Sequence, residues 1–489
     1  MTYRVAPGPS ASIAFPHSGP YDERLGYSML PRFLNQIEGA GFFVERQARD
    51  SKFSTAAASL GFYPIYREKA QAGLEISGRN GETLYSFRDP QRVYANFNSI
   101  PPIVVRTLLF IENRHMLDAT KPFHNPAIEW GRLAHASMDF GLHEVDRRRA
   151  VIGGSTLATQ LEKMRHSPQG RTHSPVEKLR QITSASLRIY RDGPRTIPAQ
   201  RIVIRDYINS IPLSAVPSQG EVTGLGDGLA VWCGADFGEV NRLLRASDEE
   251  TLSAREMNQR AHAYREVLSL FLALREPSRY LVRNPSALAS QTDRYLRALY
   301  EGGVISIRLR DAALTQQVAL QPMIKSSPRR NFVANKAPEA IRMRLLRLLH
   351  LPQTYLLDRL DLNVQATIDK SVQQSTTLFL QQIADPQQAR NAGLVGYQLL
   401  SGRDPANVTY SFTLYERGDR VNLLRIQTDN FNQPLNINSG TRLQLGSTAK
   451  LRTLINYLQI VEQLHTTYAG LTPAQLTAVN LLPGDRLTA

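Results

Sequence analysis

The chain predicts a multidomain, mainly α fold, with a small α+β module at the N-terminus and an α/β texture at the C-terminus. Three observations carry that expectation. The 489 residues exceed what one ordinary domain holds. Apolar residues recur at helical spacing through most of 101–272, punctuated by Gly153-Gly154, Ser174-Pro175 and the glycine-rich stretch 220–234. Beyond Leu357 a Gln-rich helical pattern gives way to short alternating runs that read as strands.

Residues 1–20, rich in Pro, Gly, Ser and Ala, read as a disordered lead-in. Leu30, Phe33, Leu34 and Ile37 then mark a helix that ends near Gly39 or Gly41. Phe62–Tyr66, Leu74–Ile76 and Thr83–Phe87 suggest a strand meander. Residues 273–355 continue as short helical patterns with basic runs, Pro328-Arg329-Arg330 and the cluster Arg342–Arg347, read as a solvated or anion-facing surface. A helix over Lys370–Ile383 precedes strands at Ala392–Leu399, Thr409–Leu414 and Arg420–Thr428. The division is therefore 1–84, an N-terminal lead-in and mixed module; 85–275, the helical domain; 276–355, a helical connector; and 356–489, a strand-bearing remainder.

Apolar content of 42% is enough to bury real cores, which excludes global disorder. A net charge of +15 points to anionic partners: nucleic acid, phospholipid headgroups or a pyrophosphate-bearing substrate. No aromatic-basic platform or nucleic-acid module accompanies the charge, so nucleic acid is set aside. The single cysteine, Cys233, allows neither an intrachain disulfide nor a zinc cluster, and no metal or cofactor is expected. The best apolar run, Ile100–Ile111, is broken by Arg106 and falls short of the roughly 18 residues a spanning helix needs. Residues 1–9 show no apolar secretory core, so no membrane address is visible in the sequence.

Several stretches carry residue types suited to chemistry. Glu112 closes an apolar run in Leu-Leu-Phe-Ile-Glu-Asn-Arg-His, where a carboxylate can serve as general base; pairing with Arg114 or Lys121 is the plainer alternative. Gly153–Lys163 is a glycine loop feeding a helix, with Ser155 and Thr156 at its start and Thr156, Gln160 and Lys163 one turn apart on the face opposite Leu157 and Leu161. Hydroxyls, an amide and an ammonium beside a helix N-terminus suit a polyanion. Ser174-Pro175-Val176-Glu177 is a capping-box pattern, and Lys178, Gln181 and Arg188 follow on one face of its helix. Further on, Leu445-Gly446-Ser447-Thr448-Ala449-Lys450 enters the apolar pattern Leu451, Leu454, Ile455, Leu458, which puts a hydroxyl and an amine on one helix face. A desolvated lysine there can activate the serine as an acyl nucleophile.

Taken in order, these pieces resemble the peptidoglycan glycosyltransferases of glycosyltransferase family 51, found in bifunctional penicillin-binding proteins. Ile111-Glu112-Asn113-Arg114 with Asn125–Arg132 resembles the first family motif, Gly153–Lys163 the second along its whole length, Glu177–Ala185 the third, Val203–Asn209 the fourth and Trp232-Cys233-Gly234 the fifth. The resemblance implies a lysozyme-like helical domain that polymerises lipid II, with the growing glycan strand and the membrane surface as partners on the periplasmic face of the inner membrane. Other cell-wall synthesis proteins are possible partners. Glu112 would be the base; Ser155, Thr156, Gln160, Lys163, Lys178 and Arg188 would bind substrate, Lys163 and Lys178 at the donor pyrophosphate. Asn113, Met116 and Ala119 replace the usual aspartate, phenylalanine and histidine, Gln181 stands at the second carboxylate's position, and Arg205 replaces a glutamate.

Ser447 and Lys450 resemble the nucleophile and base of a penicillin-binding transpeptidase, whose opening segment Leu362–Asp369 also resembles. The partner motifs of that site do not follow in the sequence, so residues 356–489 are expected to be an incomplete, weakly stable transpeptidase portion. The alternative is a catalytically degenerate protein that binds lipid pyrophosphate or a membrane surface as a scaffold of cell-wall synthesis.

Overall fold

The computed structural model describes residues 3–127, 155–217, 219–245, 249–320, 333–397, 399–419, 421–433, 437–440, 446–480 and 483. The larger of its cores is built around the helix Ala254–Ala273, started by a reciprocal cap between Ser253 and Glu256. Every residue from Ala263 to Ala273 is buried, so this helix has no solvent face at that end and acts as an axis. Helices Phe237–Arg245, Pro285–Glu301, Ile307–Thr315 and Pro102–Glu112 pack around it. Each fully buried Leu or Phe, such as Leu268, Leu270 and Phe271, contributes about 1.5–3 kcal/mol. The core continues through Leu288, Leu299 and Leu309 to Ala313, past residue 275 where the sequence division ended the domain.

A second core draws on three distant stretches. Phe33 from the helix Leu30–Gly39 meets Leu74 and Ile76 of a strand, and both meet Leu346, Leu349, Leu351, Leu357 and Leu360. That strand, Leu74–Ser77, is the centre of a three-stranded sheet, antiparallel to Thr83–Ser86 and parallel to Leu362–Gln365, with Leu74 opposite Leu362 and Ile76 opposite Val364. The sheet joins the first and fourth segments of the linear division, with the connector helix Lys336–Leu348 packed into the same core.

Two N-terminal expectations are corrected. Phe62–Tyr66 is not a strand: the Tyr63 amide donates to Ser184 Oγ at 3.0 Å, its hydroxyl donates to Glu177 at 2.9 Å, and the Tyr66 hydroxyl donates to Asp22. Polar partners on neighbouring helices hold this segment instead of a strand ladder. The lead-in is not shapeless either, because Tyr3–Pro7 pairs antiparallel with Arg46–Asp50.

Toward the C-terminus, Ser411–Arg417 and Asn422–Asp429 form a hairpin, and the helix Lys370–Gln382 lies on the second strand, where Gln373 exchanges two 2.9 Å hydrogen bonds with the Gln427 backbone. Ala392–Leu399, expected as a strand, is irregular where described. The helix Ala449–Tyr468 differs from all of these: it buries no residue and leaves Leu451, Leu454, Ile455, Leu458 and Val461 exposed.

Candidate functional site

Glu112 is the last residue of the helix Pro102–Glu112, which Pro102 opens at a position where its missing N–H costs nothing. Ile103, Val104, Val105 and Leu108 anchor that helix in the large core, leaving the half-buried Glu112 at its rim. The plainer pairing is not made. Arg114 donates to the Phe110 carbonyl at 3.2 Å and lies over the Phe110 ring, and Lys121 pairs with Asp118. Instead Glu112 Oε2 accepts from Gln160 Nε2 at 2.8 Å, and Gln160 Oε1 accepts from the Tyr207 hydroxyl at 3.1 Å.

Gln160 and Lys163 share one face of the helix Leu157–His166. Thr156 is its N-cap, accepting from the Thr159 amide at 3.3 Å; it is buried, so its hydroxyl is a helix-starting group. Lys163 is pushed below the ordinary lysine range by burial, against which the charge of Glu112 works. Lys178, in the first turn of the helix Pro175–Ile189, falls to about 8, through burial first and the neighbouring Lys163 ammonium second. Its Nζ donates to Ser155 Oγ at 2.7 Å. Among the described residues, no carboxylate forms an ion pair with Lys163 or Lys178. Ser155, Gln160, Lys163, Lys178 and Glu112 thus surround one location, where two desolvated ammoniums face a carboxylate that is hydrogen-bonded from behind. Gly153, Gly154 and Ile128–Arg132, part of the expected motifs, lie outside the described residues, as do Pro328–Arg330 and Leu445.

Two expected residues are placed elsewhere. Arg188 is half-buried and paired with Glu162 at 2.6 Å and Glu68 at 2.5 Å, so it is committed to the fold. Gln181 is fully buried and donates to Ser167 Oγ and Thr172 Oγ1, each at 2.9 Å. Ser174 does cap its helix, but the Glu177 carboxylate turns inward to the Tyr63 hydroxyl and does not close the box. Arg205 pairs with Asp206 at 2.5 Å, and Asp206 also holds Arg165 at 3.3 Å. Met116 is a core side chain, whereas Asn113 is buried at the Glu112 helix end with Oδ1 lacking a hydrogen-bond partner among the described residues. Tyr207, which the sequence reading passed over, had one signal: an aromatic hydroxyl inside the buried stretch Val203–Asn209.

Behind the site, Arg188 belongs to a network that docks the N-terminal module. The two ring nitrogens of His166 meet Asp22 Oδ2 at 2.7 Å and Glu68 Oε1 at 2.8 Å. Burial alone would lower the imidazole's pKa, but the two carboxylates overcome it and raise His166 to about 9. Glu68 is held well below the usual carboxylate range: burial works the other way, and Arg188, Arg165 and His166 outweigh it. Gly19 sits against the end of the same helix, where a Cβ would overlap the Arg165 carbonyl oxygen.

Ser447 and Lys450 stand apart from this location. Both are exposed, at the start of the helix that buries nothing, so the desolvation that activating the serine would require is absent. Among the described residues no group of three or more His, Cys, Asp or Glu side chains is arranged to hold a metal, and no helix is long and apolar enough to cross a membrane. Two cavities, of about 240 Å³ and 430 Å³, lie at the N-terminal module and at the far end of the Lys163 helix; neither is lined by Glu112, Lys163 or Lys178.

No curated protein matches the chain. Residues 80–300, which contain Glu112, Lys163, Lys178 and most of the large core, match the family described as Transglycosylase, so the chain carries a glycosyltransferase family 51 domain over that stretch.

Proposed function

We propose that the chain is a peptidoglycan glycosyltransferase that polymerises lipid II at the Glu112 location. The observation that carries this reading is the Lys163–Lys178 pair, half-buried near the Glu112 carboxylate within the transglycosylase domain and without an ion-pair partner among the described residues. Burying like charges together is unfavourable unless an anion completes the site. The donor's pyrophosphate is such an anion. In the proposed reaction Glu112 takes the proton of the acceptor sugar's 4-hydroxyl while that oxygen bonds to the donor's anomeric carbon. The bond from that carbon to the pyrophosphate oxygen breaks, and Lys163 and Lys178 neutralise the departing charge. Neither Ser447 nor Lys450 takes part.

A second reading, a lipid-pyrophosphate binder without turnover, is favoured by Gln181 and Arg205, neither of which supplies a carboxylate to the site. Polymerisation of labelled lipid II separates the two. Glycan strands that disappear with Glu112→Gln support the enzyme, and the loss should be roughly 10²–10⁴-fold for removal of a general base. Retained binding of lipid II with no polymer from the unaltered chain supports the binder. The net charge of +15 and a lipid-linked substrate support a membrane surface of the cell envelope as the working location.

A further inference from the structure

The geometry points to Tyr207 as a positioning residue that sets the Glu112 carboxylate through the side-chain amide of Gln160, an inference resting on the glycosyltransferase reading above. The two ends of a glutamine amide have nearly the same shape and opposite hydrogen-bonding character. Against a carboxylate only the NH₂ end is attractive; a flipped amide would turn its carbonyl oxygen on Glu112 and repel it. What fixes the choice is the other end of Gln160, whose Oε1 accepts the Tyr207 hydroxyl at 3.1 Å while Nε2 donates to Glu112 Oε2 at 2.8 Å.

Each member is held where this requires it. Tyr207 lies in the middle of the helix Ile197–Ser210 between the core side chains Val203, Ile204 and Ile208, and is itself only 2% exposed. It therefore does not reach the substrate and acts only through Gln160. Burial and the charge of Glu112 keep the phenol protonated well above its ordinary range, so it remains a donor at any working pH. Gln160 is fixed along its helix by the Thr156 cap at one end and by the Asp22, Glu68 and Glu162 ion pairs at the other. Glu112 needs this lateral support because its helix stops there: the next residue, Asn113, leaves helical geometry with φ −159°. A base loose by a side-chain rotamer loses the near-attack geometry on which its contribution depends.

The test measures lipid II polymerisation by the full chain for Tyr207→Phe, Gln160→Ala and the double variant, with Gln160→Met as a shape-preserving control. Tyr207→Phe keeps the ring and removes the hydroxyl; kcat should fall about tenfold, the scale of one hydrogen bond, with KM for lipid II within about twofold. Gln160→Ala should lower kcat at least as much, and the double variant should equal Gln160→Ala, because a relay already cut cannot be cut again. Gln160→Met, at a half-buried position, should show at least the Tyr207→Phe loss even if the tyrosine variant proves unstable. Wild-type kcat in Tyr207→Phe, or losses that multiply in the double variant, would overturn the relay alone. An unaltered chain that makes no polymer would overturn the proposed function, and the relay with it.

Discussion

The helix Leu157–His166 separates two clusters of buried charge that obey opposite rules. On the Glu162, Arg165 and His166 side, each of these charged groups meets an opposite charge: Glu162 with Arg188, Arg165 with Glu68 and Asp206, His166 with Asp22 and Glu68. On the Gln160 and Lys163 side, burial depresses the protonation of both lysines, the Lys163 charge depresses Lys178 further, and neither has an acidic ion-pair partner among the described residues. The first arrangement fixes the N-terminal module to the helix. The second, in the function proposed above, is completed by a bound anion. Buried charge marks a functional site by what its neighbours fail to neutralise rather than by its presence.

The largest effect should come from breaking the incomplete cluster. Lys178→Met is expected to lower polymerisation roughly 10²–10³-fold, as for loss of a group that stabilises charge in the transition state. Its melting temperature should stay level or rise, since a disfavoured buried charge has gone; a fall on thermal denaturation would show that Lys178 serves the fold. The completed cluster should behave inversely. Glu68→Gln leaves Arg165, Arg188 and His166 without their shared carboxylate and should cost about 3–5 kcal/mol of unfolding free energy, read by denaturant titration.

Titration sharpens the same contrast through its sign. His166 has a folded pKa near 9, above the ordinary 6.5, so its contribution is complete below about pH 6.5 and is lost as pH rises toward 9. Lys178 runs the other way: its pKa falls from 10.5 to about 8, so its charge destabilises the fold below about pH 8, and the penalty is relieved between 8 and 10.5. Stability followed against pH in the Lys178→Met background should therefore keep the decline from 6.5 to 9 and lose the Lys178 share of the rise between 8 and 10.5. In the unaltered chain, lipid II affinity should weaken above about pH 8 as Lys178 loses its proton; affinity that is flat to pH 10 would remove Lys178 from the anion site. The smallest effect is expected at Ser447. Ser447→Ala should leave both polymerisation and melting unchanged, and limited proteolysis should cut within 449–468 before it cuts the helical domain, because that helix buries nothing.

Sequence periodicity made most individual helices legible. Pro175–Ile189 was announced by Ser174-Pro175, and Lys370–Gln382 by its Gln-rich helical pattern, since capping and composition are local properties. The parallel partner of Leu74–Ser77 was not legible, because Leu362–Gln365 lies far along the chain and nothing local encodes a parallel pairing. At the site, Glu112, Gln160, Lys163 and Lys178 were marked by residue type and spacing, whereas Arg188 and Gln181 were assigned from the same helical face. Spacing gives a face, but the neighbour covering that face is tertiary information: Glu68 and Glu162 claimed Arg188, and Ser167 and Thr172 claimed Gln181.

By itself, then, the sequence determined which segments coil, where they start and which residues are chemically able to act, because caps, periodicity and side-chain chemistry act over a few residues. Only the tertiary structure decided which charges are neutralised and which have no ion-pair partner among the described residues. It turned Arg188 inward and brought Lys178 beside Lys163, and it aligned Tyr207, Gln160 and Glu112 from three separate helices. Electrostatic environment in a protein interior is set by atoms a few ångströms away in space, whatever their distance along the chain.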